Sequence, residues 1–128
     1  MKFATEIEVR FADLDAYGHV NNAVFFTYLE TARVKLFRED FAEMMQSGLF
    51  FLVAEASCRY RKPIELHDRV HIDISAEDFC RSSFTLNYLI HDNKGKEFAE
   101  ARTVMVCFDQ RRGKTISLPD HFRAALGG

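Results

Sequence analysis

From Thr5 to Phe11 the chain alternates, with Ile7, Val9 and Phe11 on one side and Glu6, Glu8 and Arg10 on the other. That two-residue period predicts a half-buried strand. Asp13 to Gly18 is polar and ends in a glycine free to take positive φ, so a turn is expected there. The period then lengthens to that of a helix, beginning near Asn21 or Asn22, either of which can cap the first free amides. Phe25, Tyr28, Leu29, Ala32 and Leu36 share one face, and Thr27, Thr31 and Arg38 the opposite one. Phe26, Glu30, Arg33 and Phe37 form a mixed row between them, a composition suited to a pocket wall or a subunit interface. This helix is predicted to end between Phe41 and Gly48.

Beyond Gly48 the pattern reverts to strands. Leu49–Arg61 is β-like and stops before Pro63, while Arg69–Ala76, Phe84–Ile90 and Phe98–Phe108 alternate. His91–Lys96 reads as a hairpin connection, Asp109–Lys114 closes the last long strand, and a short helix is expected after Pro119. One strand, one long helix and about four hairpin-linked antiparallel strands make an α+β domain, with a sheet of about five strands packed on the helix. Such a sheet leaves apolar surface uncovered, so a homodimer or homotetramer is expected.

The 128 residues fit a single domain, 1–128, and thirteen phenylalanines supply its core. A net charge of -2 gives no global attraction for nucleic acid or an acidic membrane. The N-terminus lacks the apolar run of a signal peptide and no segment is long enough to span a bilayer, which predicts a cytoplasmic protein. Cys58, Cys80 and Cys107 are odd in number and widely spaced, as expected of free thiols. His67 and His71 have the spacing of a helical zinc pair but lead into a strand, where residues four apart are separated by roughly 13 Å. No metal and no cofactor are expected, since no Rossmann or P-loop pattern occurs either.

Asp15, Gly18, the run His19-Val20-Asn21-Asn22 and the helix carrying Glu30, Ala32 and Arg33 resemble the signature of the hotdog-fold thioesterases of the 4-hydroxybenzoyl-CoA thioesterase family. The resemblance extends more loosely through Arg59–Ile64, Asp68 and the last long strand. It implies a sheet wrapped round a central helix, active sites between subunits, and hydrolysis of an acyl-CoA thioester. It further implies that Asp15 is the catalytic carboxylate and that the backbone N–H at Asn22 holds the thioester carbonyl. Some branches carry tyrosine and histidine where this chain has Asn21 and Asn22, so no role for those two side chains is carried over. The HVNN wording is closer to the long-chain acyl thioesterases of this fold.

The chemistry is compatible with so small a site. A thiol leaving group with a pKa of roughly 8.5 departs without a strong general acid. One carboxylate to attack the carbonyl or activate water is then enough, together with positive partial charge where the oxyanion forms. Helix N-terminal amides supply that charge. Asp15 is seven residues before Asn22, across Gly18, and can fold back toward those amides; the competing reading is a turn aspartate capping its own backbone. Asp13 reads as a structural acceptor. His19 can orient Asp15 or a water, and Glu30 is a second candidate base whose competing role is an ion pair with Arg33. Phosphates of CoA call for basic groups, for which Arg59, Arg61 and Lys62, and Arg81 with Ser83, are candidates. A hotdog acyl-CoA hydratase or dehydratase, or a non-catalytic acyl-CoA binding module, are the alternative functions.

Overall fold

The computed structural model describes residues 1–128. Strand β1 spans Lys2–Ile7, helix α1 Asn22–Leu36 and helix α2 Phe41–Ser47. The strands β2 (Leu49–Tyr60), β3 (Val70–Glu77), β4 (Ser83–His91) and β5 (Glu97–Asp109) follow, then a two-residue β6 (Lys114–Thr115) and helix α3 (Asp120–Ala125). All neighbouring strands are antiparallel, in the order β1-β3-β4-β5-β2, with β6 folded back on β5.

The sheet is built as the alternation requires. Val70, Ile72 and Ile74 of β3, Phe84, Leu86, Tyr88 and Ile90 of β4, and Ala99, Ala101 and Met105 of β5 are all buried, and Phe98 is buried beside Ala99 where the β4–β5 register shifts by a residue. They close on Phe25, Tyr28, Leu29 and Ala32, the apolar face predicted for α1. Burying side chains of this size contributes about 1.5–3 kcal/mol each, which makes this face the main source of stability. Ladder register defines which residues share the inner surface. Thr5, Ile72, Ile90, Ala99 and Tyr60 form one row across the sheet, and Phe3, Ile74, Tyr88, Ala101 and Cys58 the next.

Three boundaries differ from the sequence reading. β1 begins and ends earlier, and Phe11–Asp13 is a turn of 3-10 helix that leaves Phe11 80% exposed rather than on the strand's apolar side. The long helix stops at Leu36 instead of running toward Gly48, and the chain re-aims through residues 37–40 into α2. The aromatic cluster beneath the break accounts for this. Phe37 is buried against Phe51 at 5.0 Å between ring centroids, and Phe51 in turn meets Phe84 and Phe122 at 5.5 and 5.2 Å. Gly48 terminates α2 at φ 74°, in the left-handed region open to glycine. Finally, β2 is not hairpin-linked to β3. It crosses to the far edge and pairs with β5 alone, leaving its outer edge without a neighbour in this chain.

A buried charge ties the segment that follows β1 to α1. The Asp13 carboxylate, 1% exposed, accepts the Arg10 backbone N–H at 3.0 Å, the Arg10 guanidinium at 2.8 and 3.2 Å, and the Tyr28 hydroxyl at 2.7 Å. Burial alone would raise this carboxyl, but the bonds from Arg10 and Tyr28 outweigh it and hold it below its ordinary value. Burial and the bond to Asp13 push the Tyr28 hydroxyl up, so it remains the donor.

Tyr28→Phe removes one donor from a buried carboxylate and is expected to cost about 1–3 kcal/mol in urea unfolding. Because the folded-state pKa of Asp13 is depressed, its contribution is full above the ordinary carboxylate range and is lost as pH falls through the folded value. The stability gap between wild type and Asp13→Asn therefore narrows in acid; a gap independent of pH would contradict this account.

Candidate active site

The chain between Asp13 and Asn22 is a small closed turn, pinned at both ends. Leu14 bridges Val20, the Asp15 N–H donates to the His19 carbonyl at 2.7 Å, and Gly18 N–H donates to the Asp15 carbonyl at 3.1 Å. Val20 N–H donates to Ile64 at 2.8 Å and His19 bridges Glu65, which docks the turn on the segment following β2. Gly18 sits at φ 80°, a conformation costly for a residue with a Cβ. Within the turn Asp15 Oδ1 accepts the N–H groups of Tyr17 and His19 at 2.9 and 3.2 Å. Asp15 is thus the turn-capping aspartate of the second reading. Only Oδ1 is used, however, and Oδ2 carries no protein donor.

Helix α1 starts where the turn ends. Asn21 is its cap, with Oδ1 accepting the Ala23 N–H at 2.9 Å, while Asn21 N–H donates to the Asp13 carbonyl at 2.9 Å. Asn22 N–H has no acceptor within the chain. Asp15, His19, Asn22, Phe25, Tyr60, Arg61 and Lys62 line one cavity of about 240 Å³ together with Val20 and Pro63. Asp15, with one carboxylate oxygen free, and Asn22, with its backbone amide free, therefore border the same cavity. Amides at that position attract negative charge and can stabilise a developing oxyanion.

Of the residues expected to hold CoA, this cavity collects Arg61 and Lys62. Arg61 also bonds Glu100 at 2.9 Å. Arg59 pairs in register with Glu100 on the outer face of the sheet, opposite Tyr60. Ser83 pairs with Val106, seven residues along β5 from the Ala99 that faces Tyr60, or roughly 23 Å away at the strand repeat. Arg81, two residues before Ser83, donates to the Ser117 hydroxyl at 3.0 Å. Arg59, Arg81 and Ser83 are thus apart from this chain's own Asp15 cavity.

Glu30 lies on the exposed side of α1, two turns beyond Asn22, and does not form the ion pair with Arg33 considered above. Arg33 turns inward instead and donates to the Tyr88 hydroxyl at 3.2 Å, which is itself 2.7 Å from the Thr103 hydroxyl. Glu30 and Arg33 border a second cavity of about 410 Å³, otherwise lined by Phe37, Phe41, Met44, Met45, Phe51, Val53 and neighbouring apolar groups of α1, α2 and β2.

Sequence reasoning missed Tyr60. Its hydroxyl donates to the Asn22 carbonyl at 2.8 Å and its ring meets Phe25 edge-on at 4.9 Å. Burial raises its pKa, with nearby Cys58 adding to the effect, so the hydroxyl stays protonated as a donor. Its place within Arg59–Ile64, near the end of a strand, is the signal in the sequence, and nothing there shows that a helix start 38 residues earlier lies above it.

Comparison with known proteins places the fold in a family. Residues 9–126 match the family described as the thioesterase-like superfamily, and the chain belongs to it. It is a hotdog-fold enzyme of the thioester hydrolase class. The long-chain acyl-CoA thioesterase FadM of Escherichia coli is 31% identical over 125 residues, covering 95% of each chain. A 1,4-dihydroxy-2-naphthoyl-CoA hydrolase of Thermosynechococcus vestitus is 29% identical, over 92% of this chain and 84% of that one. Among solved structures, a thioesterase complexed with coenzyme A and Zn from Thermus thermophilus superposes with a TM-score of 0.82 at 33% identity, covering 96% of this chain and 90% of that one.

Asn21→Ala removes the cap and is expected to cost about 1 kcal/mol of stability. A thermal or urea melt reads this directly, and an unchanged midpoint would show that the cap bond is not formed in solution.

Proposed function

We propose that this protein hydrolyses acyl-CoA thioesters to the free acid and CoA, with Asp15 as nucleophile or general base and the backbone N–H of Asn22 polarising the carbonyl. The observation that carries the proposal is the single cavity bordered by Asp15, whose Oδ2 has no protein donor, and by Asn22, whose backbone amide has no acceptor. Attack on the carbonyl carbon, by the carboxylate or by a water it deprotonates, moves charge onto the carbonyl oxygen. The helix amide stabilises that charge, and collapse of the tetrahedral species expels the CoA thiolate; where water attacks, the proton held by Asp15 is returned to the thiolate, and where Asp15 itself attacks, a water then cleaves the mixed anhydride to release the acid and restore the carboxylate. Lys62 and Arg61 at the cavity wall are suited to the CoA phosphates. Gly18 holds the turn in shape and His19 sits beside Asp15, both as supporting residues.

The acyl group is assigned to the apolar cavity along α1, α2 and β2, and the similarity to FadM favours an aliphatic chain. Exposed Phe26, Val34, Leu52 and Val53 and the open edge of β2 favour a second copy against this side.

A panel of acyl-CoAs assayed by free-thiol release is expected to show turnover by the wild type and loss of at least about a hundredfold in kcat for Asp15→Asn. Wild-type turnover in the variant would remove Asp15 from the mechanism. Light scattering is expected to give a mass at least twice that of the chain, and a monomer would overturn the pairing.

A further inference from the structure

The start of α1 must be held in place if its amide is to meet a carbonyl, and the structure shows how β2 does this. Tyr60 is the last residue of β2 and is fixed from three directions. Its backbone pairs with Ala99 in the β5 ladder. Immediately afterwards Arg61 and Lys62 both donate their N–H groups to the Phe98 carbonyl, at 2.8 and 3.1 Å, so the strand ends in a tight, doubly bonded corner. The ring is held edge-on to Phe25 at 4.9 Å and 83°, and Phe25 is itself only 2% exposed. From this fixed base the hydroxyl reaches the Asn22 carbonyl at 2.8 Å.

We infer that Tyr60 is a positioning residue for catalysis: its hydroxyl anchors the first turn of α1 so that the Asn22 amide is held in register with Asp15. The inference rests on the reading of Asn22 as the carbonyl-binding group. Asp13 and Asn21 secure the chain entering the helix, but both act from the turn that also carries Asp15. Tyr60 is the bond that refers the helix start to the sheet. The hydroxyl does not use its reach on a substrate, because its donor is already committed to a backbone carbonyl. Its contribution is therefore orientation, and it is expressed in turnover rather than in substrate binding.

The variant Tyr60→Phe keeps the ring and its contact with Phe25 and deletes only the hydroxyl. Loss of a single orienting contact of this kind is expected to lower kcat between about tenfold and a hundredfold. KM should stay within about twofold, since ground-state contacts are untouched. Amide hydrogen exchange of Ala23 and Val24, followed by NMR, should accelerate in the variant, while the melting temperature moves by only a few degrees. Unchanged kcat in Tyr60→Phe would overturn the inference, as would a rise in KM alone, which would place the hydroxyl on the substrate. The acyl-CoA panel with wild type and Asp15→Asn separates this from the underlying reading. If the wild type turns over and Asp15→Asn does not, a fully active Tyr60→Phe defeats the role of Tyr60 alone. If the wild type hydrolyses nothing, the functional reading falls and the catalytic role of Tyr60 falls with it, while exchange at Ala23 and Val24 still reports the anchor.

Discussion

The buried Asp13 carboxylate is the constraint on which the rest of the site depends. It takes four bonds from Arg10 and Tyr28, and its own backbone carbonyl receives the N–H of Asn21. One residue thereby joins the segment that follows β1, the middle of α1 and the cap of α1. A carboxylate buried this deeply would be costly without such partners, and with them it enforces a single geometry. The turn holding Asp15 runs between Asp13 and Asn21 and inherits that geometry at both ends.

Two neighbouring aspartates thus do different work because of where their oxygens point. Asp13 is fully satisfied and inaccessible. Asp15, which borders a cavity, commits one oxygen to the turn and leaves the other without a protein donor. The same division appears at the asparagines. Asn21 spends its side chain on the cap, and the backbone N–H of Asn22 remains free. Local hydrogen bonding therefore selects which group of each pair is left without a partner in the chain.

The sheet contributes in a less local way. Its inner face supplies the apolar bed for α1, and its last strand, β2, sits at the open edge where both cavities lie. Leu52 and Val53 are more than two-fifths exposed there, on a strand bonded along one side only. An edge of that length and character is normally covered. The acyl cavity and the proposed subunit contact share this region.

Much of this was legible in the sequence because it follows from local periodicity. The alternation of β3, β4 and β5, the apolar face of α1, the turn at Gly18 and the asparagine cap each depend on residues close together in the chain. The resemblance carried by Asp15 to Asn22 pointed to the part of the molecule where the structure forms a polar cavity. Other features depended on residues far apart. No local signal shows that Phe37 meets Phe51 and ends α1 at Leu36, or that β2 pairs with β5 rather than β3. Nor does spacing show Arg33 bonding Tyr88 in place of Glu30, or Tyr60 reaching Asn22. The sequence by itself determined the strands, the main helix and the chemical groups at their joint, since these arise from short-range backbone and hydrophobic preferences, though not where β1 and α1 end. Only the tertiary structure decided which side chains met across the sheet, because the register between distant strands is a property of the assembled core.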